Sequence, residues 1–323
     1  MKAAFAGAQN GLTLIEQRIL STLEAEAPAL SEISKYLLNI GGKRIRPLIA
    51  VLSERLFGAA DTSQEVIDVA SGIELIHMAT LLHDDIIDES LTRRNKPSAY
   101  SKFGLSSTLL TGDFLFVRAF GLCANLDNFV VRATEDACVN LIEGEELEGR
   151  ICLRKDYNIE HYINVIGKKT ASLFSLAAKV GAYLAGGTQQ EVETMSTFGN
   201  YSGICFQIID DILDITAEES LLGKPTGTDL KQKTPSIVNI LWYNSGDKKA
   251  VEFFTEENKT EHALNDTIAY LKNSAVIEES RFLAMRYASL AKAELNKITS
   301  PRIDLQTKDH LEAIIDYTLE RCM

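Results

Sequence analysis

Apolar side chains recur every three or four positions through most of the chain, interrupted by glycine, proline or short runs of charge. Leu12, Ile15, Ile19 and Leu23 mark one amphipathic helix over residues 12–27, which Pro28 breaks. The same period predicts helices over residues 30–38, 64–88, 106–125, 130–147, 159–167, 170–184, 190–215, 276–295 and 309–319. Strand-type alternation is hard to find, and the long runs favour Leu, Ala, Ile, Glu and Lys, which helices accept at little cost. The expected fold is all-α. Nothing reads as a disordered linker, so residues 1–323 are expected to form a single domain. Loops are expected over residues 89–101 and 216–234.

Carboxylates break the apolar pattern in two places. In Leu81-Leu82-His83-Asp84-Asp85-Ile86-Ile87-Asp88 the aspartates stand in an otherwise apolar helix. At 3.6 residues per turn Asp84 and Asp88 stack on one face with Asp85 beside them. Unpaired carboxylates are costly to bury, and hard cations such as Mg²⁺ take oxygen ligands, so the pattern points to a metal site. It returns as Gln207-Ile208-Ile209-Asp210-Asp211-Ile212-Leu213-Asp214. One such string on a solvated helix face means little; the repeated apolar framing gives it weight. Neither cluster has the glycine and closing glutamate of an EF-hand loop. Two metal-binding faces imply a polyanionic ligand between them.

Formal net charge is −12, which argues against a nucleic-acid surface and makes each basic cluster informative. Gly41-Gly42-Lys43-Arg44-Ile45-Arg46-Pro47 places three basic residues at a helix entrance, a phosphate cradle in outline. A basic loop follows each acidic cluster: Arg93-Arg94-Asn95-Lys96-Pro97, and residues 223–233 with Lys224 and Lys233. His77 lies seven residues before Asp84 and shares its face. His83 adjoins the cluster and reads as a packing or supporting residue. Cys123, Cys138, Cys152, Cys205 and Cys322 show neither CxxC spacing nor even pairing, as expected of reduced thiols in a cytoplasmic protein. Residues 1–9 lack the apolar run of a signal peptide, and no 18 uncharged apolar residues stand together. The most membrane-like window, residues 170–187, carries Lys179 at its centre. A soluble protein is expected, with transient membrane contact if its ligand is apolar.

From about Gly41 to Pro235 these motifs stand in the order found in the trans-polyprenyl diphosphate synthases, and the chain resembles the long-chain, octaprenyl type of that family. The resemblance implies a bundle of about ten or more helices around a central catalytic cavity, in which several Mg²⁺ ions hold an allylic diphosphate. Asp84, Asp88 and Asp210 match the principal metal ligands, with Asp85, Asp211 and Asp214 in support. Lys43, Arg46, His77 and Arg94 match the isopentenyl diphosphate site, and Arg93, Lys169, Lys224 and Lys233 the contacts to the allylic diphosphate. Lys168 competes for the place of Lys169, and Thr170 fixes the register on Lys169. Thr170 and Gln207 match polar positions that steady the carbocation or orient the diphosphate. Asn95 stands where the family usually has glycine; asparagine tolerates left-handed backbone angles, so the turn is expected to survive.

Ala79 and Thr80, about 6–8 Å down the helix from Asp84, stand where bulky aromatics close the pocket of short-chain relatives. A product longer than C20, as for a quinone side chain, is therefore expected, with a geranylgeranyl or farnesyl diphosphate synthase as the alternative. A terpene cyclase has no need of a second diphosphate site, and a subunit of a heteromeric synthase tends to lose acidic clusters, whereas all six aspartates are present here. The resemblance also suggests a homodimer.

Overall fold

A computed structural model describes residues 1–217, 226–255 and 260–322. The chain runs through α1 (Lys2–Thr22), α2 (Pro28–Ile40), α3 (Ile45–Leu56) and α4 (Gln64–Ile87), then a hairpin of β1 (Thr92–Arg93) and β2 (Lys96–Pro97). There follow α5 (Ala99–Phe103), α6 (Leu105–Cys123), α7 (Asn128–Arg154), α8 (Ile159–Ile166), a π-helical turn (Gly167–Ala171), α9 (Ser172–Leu184) and α10 (Gln189–Thr216). The remainder is α11 (Thr228–Gln232), α12 (Ile237–Asn244), α13 (Lys248–Thr255), α14 (Glu261–Lys272), α15 (Ala275–Asn296) and α16 (Leu305–Glu320). The all-α expectation holds.

Several boundaries moved for local reasons. α1 starts ten residues before the expected 12 because its first turns bury small residues, Ala4 and Ala8, which leave little apolar signal. α7 runs past 147 to Arg154 because its acidic residues are paired with lysines of the next elements. The expected break between 167 and 170 is the π turn, so the chain stays helical from Ile159 to Leu184. The loop expected over residues 89–101 holds the hairpin and the start of α5, and that over 216–234 holds α11.

Two long helices carry the acidic clusters, and α9 packs against both of them. α4 has its main contact with α6, while α10 lies between α9 and α15. On α10, Ile204, Ile208, Ile209 and Ile212 are buried, each contributing about 1.5–3 kcal/mol. Gly203 permits the approach of α10: a Cβ there would stand 2.5 Å from Ala171 Cα. α16 packs on α3 and α10, which brings the end of the described chain beside the GKRIRP segment.

By length and composition α4 and α6, rather than residues 170–187, are the helices apolar enough to cross a membrane. The most apolar 18-residue window of α4 is 72% buried inside the fold, as befits a core helix, against 33% for α6.

Candidate active site

The C-terminal end of α4 holds its three carboxylates in different states. Asp85 is buried, at 1% exposure, and takes Arg93 Nε at 3.0 and 3.1 Å and Nη2 at 2.8 Å. Asp84 is half-buried. Burial, helped by Glu145 and Asp88, outweighs the pull of Lys169 and Arg93 and lifts its carboxyl to about 7. Asp88, at the rim, is raised by the same first cause. Carboxylates that lose solvation in this way gain from a hard divalent cation, which takes oxygen ligands. Among the described residues no three acids converge on one point. The donor set therefore fits ions held by one or two carboxylates each, with water and substrate phosphates completing the shell, as is usual for Mg²⁺.

The π turn directs Lys168, Lys169 and Thr170 to separate sets of partners, and such turns often occur at functional sites. Lys168 reaches away to Asn140 (2.9 Å) and Glu143 (2.6 Å) on α7. Lys169 pairs with Glu145 at 2.7 Å and with Glu148. Burial alone would lower its pKa, but Glu148, Asp84 and Glu145 together raise it, so Lys169 stays charged beside Asp84. The geometry therefore agrees with Lys169, not Lys168, facing the acidic site. Gly144 permits it, because a Cβ there would lie 2.5 Å from Lys169 N. Thr170 donates to Gln207 Oε1 at 2.8 Å, and Gln207 Nε2 donates to Asp211 at 2.9 Å.

On α10 the second cluster divides in the same way. Asp211 also accepts from Tyr162 Oη at 2.7 Å and Ile237 N at 3.1 Å, and burial lifts it to about 6 despite those bonds. Asp214, buried, accepts from Asp229 N at 3.1 Å and so ties down the start of α11. Asp210 is more exposed and forms an ion pair with Arg321 at 2.8 Å.

Beneath the acids lies a positive region. Arg46 stacks over the Phe174 ring at 4.8 Å. Burial lowers its guanidinium to about 10, against the opposing charges of Glu74 and Asp210. His77, on the Asp84 face of α4, is held well below its usual range by burial and then by Arg46, Arg93, Arg94 and Arg44, so it is neutral. Arg94 approaches Gly42, where a Cβ would lie 3.2 Å from its Nη1. Arg94 and Asn95 both have positive φ, 50° and 61°, the two-residue turn that closes the hairpin between Arg93 and Lys96. Asn95 thus takes the left-handed angles that its turn requires. Lys43 donates to Tyr317 Oη at 2.7 Å. Arg44 and Arg93 are held by Glu74 and Asp85, both at 2.7–2.8 Å, while Arg46 and Arg94 add positive charge beside the neutral imidazole, an environment that suits an anion.

Thr80 is partly exposed on the Asp84 face and donates to His77 O at 2.9 Å. Ala79 is fully buried. It lies seven residues after Gly72, where a Cβ would meet Ala119 O and Cys123 Sγ of α6, so Ala79 shares the α4 face turned toward α6. His83 packs against α6 too, stacked on Phe116 at 5.9 Å and within 3.3 Å of Leu109 O. Lys233 donates to Phe254 O at 3.4 Å. Lys224 lies outside the described residues.

Five site residues escaped sequence reasoning: Glu145, Glu148, Tyr162, Tyr317 and Arg321. The three-residue spacing of Glu145 and Glu148 was a readable signal for one shared face. Nothing local to the other three marks them.

The sequence profile of the family described as Polyprenyl synthetase matches residues 27–271. An octaprenyl diphosphate synthase of Escherichia coli (strain K12) is 35% identical over 87% of this chain and 88% of its own. A geranylgeranyl diphosphate synthase of Methanosarcina mazei is 32% identical over 90% of each. Among solved structures, a polyprenyl synthase from Caulobacter crescentus complexed with calcium and isoprenyl diphosphate superposes with a TM-score of 0.92 at 29% identity, covering 99% of this chain and 97% of that one. The chain belongs to the polyprenyl synthetase family. It is a prenyltransferase, with the all-α fold of that family.

Proposed function

We propose that the protein is a long-chain trans-polyprenyl diphosphate synthase, extending an allylic diphosphate with isopentenyl diphosphate beyond C20, as for a quinone side chain. The observation that carries the synthase reading is the layering at the end of α4: Asp84, lifted to about 7, stands next to charged Lys169, with the arginine-rich region below. Isopentenyl diphosphate would take Lys43, Arg46, His77 and Arg94, and the allylic diphosphate Arg93, Lys169, Lys224 and Lys233. Asp84, Asp88 and Asp210 would hold Mg²⁺, with Asp85, Asp211 and Asp214 positioning their neighbours. Bound Mg²⁺ supplies charge that stabilises a leaving diphosphate.

The protein's own residues do the rest. Lys169 offsets negative charge as the allylic C–O bond ionises. Thr170 and Gln207 place a fixed hydroxyl–amide dipole beside the cationic carbon. The positive region orients isopentenyl diphosphate so that its double bond attacks, and the released diphosphate takes the proton lost from the new chain. No nucleophilic side chain is required.

The long-chain reading is supported by the octaprenyl relative and by the small, partly exposed Thr80 on the Asp84 face. The geranylgeranyl relative keeps the short-chain alternative in view. Thr80→Phe, on the open face, is expected to shorten the product while sparing the first condensation. Ala79→Phe is expected to do so only by forcing α4 from α6. Unchanged product lengths in both variants would put the floor of the pocket elsewhere.

A homodimer is supported by the outer face of α6, where Leu109, Val117 and Phe120 are exposed along one stripe, with Val139 and Ile142 exposed on α7. The five free cysteines suit the cytoplasm. The deciding assay for a self-sufficient enzyme is diphosphate release by this chain alone with Mg²⁺; activity only after addition of a partner would favour the subunit reading.

A further inference from the structure

The last turn of α16 touches both halves of the site. Arg321 Nη1 lies 2.8 Å from Asp210 Oδ1, and its guanidinium stacks over the Phe206 ring at 5.2 Å. Tyr317, four residues earlier and on the same face, accepts from Lys43 at 2.7 Å and lies under the Lys43 ammonium at 4.8 Å from the ring centre. Arg46 of α3 also feels the charge of Asp210.

We propose that the C-terminal turn of α16 is a latch: Arg321 holds on Asp210 the place a divalent cation has to take, and Tyr317 holds Lys43 away from its diphosphate until Arg321 lets go. The geometry gives the sequence of exchanges. A cation arriving at Asp210 competes with the guanidinium for the same oxygen and releases it. Because Tyr317 and Arg321 share one helical turn, loss of the Arg321 anchor loosens the Tyr317–Lys43 contact. Lys43 and Arg321 then become donors for phosphate oxygens at the rim. Binding of metal at one half is thereby coupled to readiness of the other. Arg321 is a positioning residue in this account, and its pair is partly exposed, at 21% for Arg321 and 36% for Asp210, so it can be exchanged readily.

The inference rests on the reading of Asp210 as a cation ligand, and the test separates the two. Mn²⁺ alone serves as the probe, its binding read by electron paramagnetic resonance on the full chain without substrate. Asp210→Asn is expected to weaken Mn²⁺ binding; no change would sink the ligand reading and the latch with it. Arg321→Gln is expected to bind Mn²⁺ about three- to fivefold more tightly than wild type, the size of a partly exposed ion pair. Binding equal to or weaker than wild type, with Asp210→Asn impaired, would overturn the latch alone. Hydrogen exchange gives a second readout. Mn²⁺ should speed exchange in residues 314–322 of the wild type and leave Arg321→Gln, already fast there, unchanged. Arg321→Lys, which keeps the charge, should fall between the two and serves if the glutamine variant does not fold.

Discussion

Asp85 gives both oxygens to Arg93 at 1% exposure, whereas Asp84, one position earlier, is lifted by burial to about 7. Removing one partner of a buried pair leaves the other charge uncompensated, so Asp85→Asn is expected to cost about 3–5 kcal/mol in denaturant unfolding. Asp84 works in the opposite direction. Its folded pKa lies above the ordinary 3.8, so the folded state binds this proton more tightly than the unfolded chain does. Its contribution to stability is present below about pH 4 and lost as pH rises through 7; burial raises Asp88 and Glu148 in the same sense. Urea melts of the metal-free protein should therefore show stability falling between about pH 4 and 7. Asp84→Asn should flatten that slope, and Mg²⁺ at pH 8 should restore wild type more than the variant. In turnover Asp84→Ala is expected to lose about 10²–10³ in kcat, the scale of a lost electrostatic stabiliser.

At the scale of elements, the π turn and α7 form one device, in which Gly144 lets α7 approach closely enough for Glu145 and Glu148 to hold Lys169. Gly144→Ala would press a methyl against Lys169 N and is expected to cost about 1–3 kcal/mol in a thermal melt, with a raised KM for the allylic diphosphate. Residue type and spacing made the helices and both aspartate clusters legible in the sequence, because helical periodicity and apolar framing are local properties. The hairpin was less so: its turn needs positive φ at Arg94 and Asn95, and arginine gives no sign of that. Tyr162, Tyr317 and Arg321 were not legible, since each meets its partner across at least 49 positions of sequence. Ala79 could be read for its size but not for its direction, which only the α4–α6 contact reveals.

At the scale of the molecule, exposed apolar side chains gather on α6 and α7, and a second copy is the proposed cover. Val117→Glu, at a position 70% exposed in the single chain, is expected to yield monomers by analytical ultracentrifugation with little change in the monomer's helix content. In the proposed reading the fold holds two diphosphates at one end of α4 and takes the apolar tail along it. The measurement that tests this most directly is to incubate the purified protein with Mg²⁺, farnesyl diphosphate and labelled isopentenyl diphosphate and to size the products by chromatography. Polyprenyl diphosphates longer than C20 are the predicted outcome. A dominant C20 product would contradict the long-chain claim, and no incorporation of label would contradict the catalytic reading itself.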